Sequence, residues 1–418
     1  MQAPLQAPLR QAPPPVAAAP LLAPRVTRIA ASPASVLRAR ARELRAAGRD
    51  LIELSSGDVD FPTPDHVIAA ASAAARRGET RYTNVDGTPE LKDAVRAMFA
   101  SAHGLAYARD EIIITAGSTQ AMFNALLATV SAGDEVVVPT PCWAPYLDQV
   151  RLAEGTPVLL RCRQNNGFKL RPEDLAAVLS ARTRWLVINN PVNPTGAVYT
   201  RSELCAIAGV LLEHPHVRVL ADGLYEHFVF DARRAPTIAE AAPHLKARTL
   251  TVGGVAKSYA MMGWRVGYAG GPAALIREMT KIQSQTTSCA SSIGQAAALA
   301  ALTGPQDLLA ERTAVLAARR DTFARLINGC SGLACTPPEG TFYLMVSCAG
   351  VIGKRTRDGR EIASDRDFAA YLLDAAEVVV FPGTDFGLSP YVRMSFANPV
   401  AVIEEAGRRI ARACAELK

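Results

Sequence analysis

The chain has 418 residues, 49% of them hydrophobic, which is enough for a large core, and no run approaches the roughly 18 apolar residues that a membrane-spanning helix needs. Its net charge of +6 lies in the first 42 residues, which carry Arg10, Arg25, Arg28, Arg38, Arg40 and Arg42 and neither lysine nor acid; the rest balances 39 basic against 39 acidic residues and offers no basic face for nucleic acid. Eight scattered cysteines form no C-x-x-C pair and no zinc-ligand spacing, which predicts free thiols in a reducing, cytoplasmic compartment and no metal site.

Residues 1–27 are rich in Ala, Pro, Gln and Leu. Prolines recur too often for the helical core of a secretory signal, and the composition buries no core, so this leader is expected to be disordered. A helix over Val36–Ala47 and a strand over Leu51–Leu54 follow. From about residue 110 short apolar runs alternate with helical patterns. Strands are predicted at Glu111–Thr115, Glu135–Pro139, Pro157–Leu160, Trp185–Asn189, Val217–Asp222, Thr249–Val252 and Val266–Ala269, with helices at Ser118–Val130 and Ser202–Glu213 between them. Buried strands alternating with helices imply a mostly parallel sheet covered on both faces. After Thr303-Gly-Pro305 the pattern changes: a long helix Leu308–Ile327, hairpin-like segments at Thr341–Val346, Val378–Phe381 and Tyr391–Phe396, and a final amphipathic helix from Val400.

Ligands of open α/β sheets sit beyond the carboxyl ends of the strands, and four polar segments fall at such ends. Ala116-Gly117-Ser118-Thr119-Gln120 opens a helix, which makes either an ordinary serine cap or an anion site. Asn189-Asn-Pro-Val-Asn193-Pro-Thr-Gly196 is a stiff turn that presents amides. Asp222, with Tyr225 three residues on, ends a buried strand, where a carboxylate needs a partner. Gly253-Gly-Val-Ala-Lys257 ends another, with Arg265 eight residues further.

Together these motifs resemble, over roughly residues 32 to 415 and in the family's order, the fold-type I pyridoxal phosphate enzymes of aminotransferase class I, nearest to the bacterial aspartate aminotransferase subgroup. The resemblance implies that Lys257 holds the cofactor as a Schiff base and transfers protons, that Asp222 meets the ring nitrogen, and that Tyr225 and Asn193 meet the phenolic oxygen. It implies a phosphate site from Gly117, Ser118, Thr119 and Arg265, joined by Tyr82 (in Arg81-Tyr-Thr-Asn-Val-Asp-Gly-Thr88) from a neighbouring subunit. Trp143 matches the aromatic that stacks on the ring. Gly57, Asn193, Trp143 and Arg393 (in Val392-Arg-Met-Ser-Phe-Ala397) match the substrate site, with Arg393 gripping the α-carboxylate. Three departures stand out. Val192 replaces a frequent asparagine. Asp222-Gly-Leu-Tyr225 replaces Asp-Glu-x-Tyr. Ala256 and Gly254 stand where many relatives have a hydroxyl.

The resemblance thus implies an α/β fold with a mostly parallel seven-stranded sheet in a large domain, 61–306, and a smaller α+β domain from 28–60 and 307–418. It implies a homodimer with shared active sites that moves amino groups between amino acids and 2-oxo acids. A β-elimination lyase could share every cofactor contact, and a cofactor-sensing regulator would need a DNA-binding domain that the proline-rich leader is too short to supply. Thr119 stands where several aspartate-specific relatives carry a lysine for the distal carboxylate, which predicts a weaker preference for dicarboxylic substrates.

Overall fold

The computed structural model describes residues 21–29 and 33–418. Most of the expected leader lies outside the described residues; within it, Pro24–Thr27 form a single exposed helical turn. The central element is a seven-stranded sheet in the order Ile112–Thr115, Gly267–Gly270, Thr249–Gly254, Arg218–Asp222, Thr183–Asn189, Glu135–Thr140, Thr156–Arg161. All pairings are parallel except those of Gly267–Gly270, which runs antiparallel to both neighbours. The seven strands expected from the sequence are therefore those of the sheet, with ends that differ by one or two residues.

The sheet is buried on both faces. Val136, Val138, Trp185, Val187, Leu220 and Leu250 pack on one side against the helix Ser118–Thr129, while Val137, Leu186, Ile188 and Val219 pack on the other against Arg201–Leu212. This explains the uninterrupted apolar runs of the strands. Two helices that periodicity did not reveal, Asp65–Arg76 and Ser292–Thr303, lie against each other and bury Ala71, Ala74, Ala297, Ala298 and Ala301. Alanine gives close packing with little hydrophobic contrast, so their stripes are faint in the sequence. Pro89–His103 was also missed, although Thr88 caps it and Gly104 ends it in the left-handed region.

The second core surrounds an antiparallel three-stranded sheet, Phe381–Pro382, Tyr391–Ser395 and Tyr343–Ser347, covered by Asp307–Asn328, Asp365–Ala376 and Val400–Glu416. The expected strand Val378–Phe381 is split. Val378–Val379 pairs in parallel with Ile52–Glu53, whereas Phe381–Pro382 pairs antiparallel with Val392 and Arg393. Proline lacks the N–H to continue a ladder, which fits Pro382 at its end.

One close approach positions the site. A Cβ on Gly267 would lie 2.2 Å from the backbone nitrogen of Ser118, so only glycine lets this strand meet the start of the helix Ser118–Thr129. Gly267→Ala should therefore displace backbone rather than a side chain and destabilise the fold by roughly 2–4 kcal/mol. Urea unfolding monitored by circular dichroism measures this; a midpoint equal to that of the parent would refute the constraint.

Candidate active site

The carboxyl ends of the parallel strands open on a cleft lined by Gly117, Ser118, Thr119, Trp143, Asn189, Asn193, Asp222, Tyr225, Ala256, Lys257 and Arg265, among others. Nine of the sequence-expected residues thus converge: Gly117, Ser118, Thr119, Trp143, Asn193, Asp222, Tyr225, Lys257 and Arg265. Gly57 and Arg393 reach the same place from the other core.

Gly117, at φ +89°, precedes the helix Ser118–Thr129, whose first turn carries no acid. A Cβ on Gly117 would lie 2.5 Å from Nη2 of Arg265, so the guanidinium lies against the bare backbone. Arg265 takes the left-handed conformation and donates from Nη1 to Met262 O at 2.8 Å. Free N–H groups, the positive helix end and a guanidinium make an anion cradle.

Asp222 is buried at the end of the central strand. Leu224 N–H donates to its Oδ1 at 3.0 Å, and the Tyr146 hydroxyl donates to Oδ2. Burial raises the pKa of Asp222 and outweighs these two bonds and the nearby Lys257 charge, all of which favour the anion. Burial also drives the Tyr146 phenol well above its usual range, with the Asp222 charge reinforcing the shift, so it stays a neutral donor. Tyr146 was absent from the expected site residues. It falls one helical turn after Trp143, and its ring meets the indole edge-on at 5.2 Å.

Lys257 extends its Nζ to the Gly57 carbonyl at 2.6 Å and lies 6.0 Å from the Tyr225 ring centre. The Tyr225 hydroxyl meets that of Tyr343 at 3.1 Å. Arg393 is buried, donates to Asn193 Oδ1 at 3.1 Å and to Ser55 O at 2.9 Å, and lies 4.0 Å from the ring centre of Tyr343 and 4.7 Å from that of Phe386. Asn193 is held in turn, its N–H donating to Asn189 Oδ1 at 2.7 Å. Tyr343 and Phe386 escaped the sequence reading because aromatic residues in strands and turns usually mean core. Tyr82 stands apart from the cleft at 88% exposure and borders a separate hollow with Arg81, Gln295 and Thr303.

The donor set fits pyridoxal phosphate: an anion cradle at one end, a buried carboxylate suited to a ring nitrogen, and an amine between them. Among the described residues no group of three or more His, Cys, Asp or Glu could hold a metal ion.

Residues 49–410 match the family of class I and II aminotransferases. The chain is 51% identical to the aspartate aminotransferase of Rhizobium meliloti strain 1021, over 94% of this chain and 96% of that protein. It is 48% identical to the aspartate/prephenate aminotransferase of Cereibacter sphaeroides, over 90% and 94%. The crystal structure of the Rhizobium meliloti aspartate aminotransferase superposes with a TM-score of 0.93 at 50% identity, covering 96% of this chain and all of that one.

The raised pKa of Asp222 has a consequence for stability. A carboxyl that binds its proton more tightly when folded stabilises the fold increasingly as pH falls through its folded pKa towards the ordinary value near 3.8. Cofactor-free protein should therefore gain stability relative to its Asp222→Asn variant on acidification from neutrality. Paired thermal melts across that range test it; a difference that stays constant or runs the other way contradicts the burial argument.

Proposed function

The chain belongs to the class I and II aminotransferases and is a pyridoxal phosphate enzyme that moves amino groups between amino acids and 2-oxo acids; from that premise we propose an aspartate-type enzyme worked by the residues of this cleft. The observation that carries the reading is the convergence of Lys257, Asp222 and the Gly117–Arg265 cradle at the strand ends, with the buried Arg393 beside them. The names of the relatives support aspartate as donor.

When bound, pyridoxal phosphate supplies an aldehyde for linkage to amines and a ring that takes up the electron pair left by a departing α-proton. Backbone N–H groups at Ser118 and Thr119, with Arg265, would hold its phosphate, and Trp143 would pack against its ring. Asp222 would hold a proton on the ring nitrogen, in a pairing that exclusion of water strengthens. Tyr225 and Asn193 would meet the phenolic oxygen. Arg393 binds the substrate α-carboxylate through a guanidinium already oriented by Asn193, Ser55 and aromatic rings, so little freedom is lost on binding. The Lys257 amine would carry the cofactor's covalent link and, once an incoming substrate amine frees it, is placed to hold and move the substrate α-proton. Gly57 O holds that amine beside the Tyr343 hydroxyl.

We further propose a homodimer. The exposure of Tyr82 suits a residue that completes the phosphate site of a second copy. The division into a large part, 61–306, and a small part, 28–60 with 307–418, belongs to the same reading and is supported by the separate cores of the two sheets. A cytoplasmic location is proposed from the eight free thiols; no described helix is long and apolar enough to cross a membrane.

Borohydride reduction of the holoenzyme followed by peptide mapping should label Lys257, and Lys257→Ala should lose transamination by orders of magnitude. A label on any other lysine would displace this assignment. Among the described residues, the cations at the cleft are Lys257 and Arg265 in its lining and Arg393 beside it; each has a role already, and Thr119 adds no charge. Thr119→Lys should thus raise the ratio of kcat/KM for aspartate to that for phenylalanine, by about tenfold for one added charged contact. A ratio left unchanged would mean that another cation binds the distal carboxylate.

A further inference from the structure

A buried charge cluster lies behind the cleft, outside every role assigned above. His103 is the last residue of the helix Pro89–His103, and its side chain is 5% exposed. Its Nε2 lies 2.6 Å from Glu226 Oε2, and its Nδ1 lies 3.2 Å from Glu240 Oε2. Glu226 follows Tyr225 on the turn after the central strand; Glu240 sits on the short helix Ile238–Ala241.

The geometry decides the protonation state. A neutral imidazole has one N–H and one lone pair, so with carboxylates at both nitrogens it would aim that lone pair at an anion. Only the imidazolium donates to both. The carboxyl end of a 15-residue helix also favours the cation. Burial opposes the charge on His103, but the two carboxylates outweigh it and hold its pKa above the ordinary value. Burial likewise opposes the Glu226 anion, and the His103 hydrogen bond overcomes it and lowers that pKa.

The other facing groups fit this arrangement. Arg234 bonds Glu240 Oε1 and the Ala102 carbonyl, and Arg201 approaches Glu240 at 3.6 Å. His227 lies 3.7 Å from Glu226 Oε1, and the phenols of Tyr259 and Tyr268 feel the Glu226 charge. The cluster is tied to the cleft by a short path. Glu226 N–H donates to Gly223 O, Gly223 N–H donates to Val252 O, and Leu224 N–H donates to Asp222. A Cβ on Gly223 would lie 4.0 Å from Glu226 Oε2, so the carboxylate stands close to the backbone that leads to Asp222.

We propose that His103, as an imidazolium clamped between Glu226 and Glu240, is a positioning residue for the turn that presents Asp222 and Tyr225 to the cofactor. This rests on the reading that those two residues contact it. The clamp holds while His103 is protonated and loosens as pH rises through its folded pKa, because a raised pKa stabilises the fold below that point and not above it.

The test uses holoenzyme with ring-labelled histidine. There are six histidines, and the His103 signal is the one lost in His103→Gln. That signal should stay doubly protonated above the pH at which an ordinary imidazole loses its proton. Cofactor release from His103→Gln should exceed that of the parent by on the order of tenfold at about pH 6.5, the scale of one charge-assisted hydrogen bond, and the ratio should fall towards one as the parent's His103 deprotonates. If His103→Gln does not fold, Glu226→Gln serves instead: with one anion gone, His103 should lose its proton at lower pH and release should quicken. A His103 that titrates at the ordinary value overturns the proposal. So does a protonated His103 with unchanged release while Asp222→Asn releases cofactor faster. Unchanged release in Asp222→Asn as well would remove the cofactor reading itself, and the positioning role with it.

Discussion

A carboxylate buried at the end of a parallel strand is the constraint around which the rest of this structure is arranged. Asp222 is removed from water and has one donor on each oxygen, Leu224 N–H and the Tyr146 hydroxyl. Neither donor is charged, so the desolvation cost is only partly offset, and the site favours a cation brought against that carboxylate. A protonated ring nitrogen is such a cation. In the proposed site, burial that costs stability without the cofactor would give binding and electronic control with it, because the attraction is strongest where water is excluded.

Two sheets of different construction meet at this point, and each contributes what it is suited to carry. The parallel sheet sends loops from adjacent strand ends, so Asn193, Asp222 and Lys257 converge although 64 positions separate the first from the last. The antiparallel sheet contributes Arg393 from within a strand, between Val392 and Met394, both fully buried. A guanidinium in that setting needs ordered acceptors and aromatic faces. It has Asn193, Ser55 O, Tyr343 and Phe386. The Asn193 contact links the parts built on the two sheets, so in the proposed site the residue assigned to the ring also orients the residue assigned to the substrate carboxylate.

Much of this was legible in the sequence because the chemistry sits at strand ends, where apolar runs stop and polar motifs begin. The seven sheet strands and the Asp222, Asn193 and Lys257 segments follow from that alternation. Alanine-rich helices such as Ser292–Thr303 were not legible, because alanine buries well without marking a stripe. The split of Val378–Phe381 between two sheets depends on partners remote in sequence, which local pattern does not encode. Tyr146, Tyr343 and His103 were missed for a related reason. Each acts through a contact made only in the fold, and each would serve equally well as an ordinary core residue.

The charges lining the cleft also bear on substrate choice. Lys257 and Arg265 are positive and Asp222 is negative, while a bound phosphate ester brings close to two negative charges at neutral pH. In the proposed site the ring nitrogen would answer Asp222, Arg265 with the helix end would answer the phosphate, Lys257 would carry the cofactor linkage, and Arg393 would answer one substrate carboxylate. A second carboxylate would then enter a partly desolvated cleft with no lining cation left to meet it, at a cost that one hydroxyl, such as that of Thr119, offsets poorly. An aspartate-type enzyme on this frame therefore needs a cation from beyond these lining residues. The proposed dimer provides a route for one, since Tyr82 is already expected to cross from the second copy and Arg81 adjoins it on the same exposed segment.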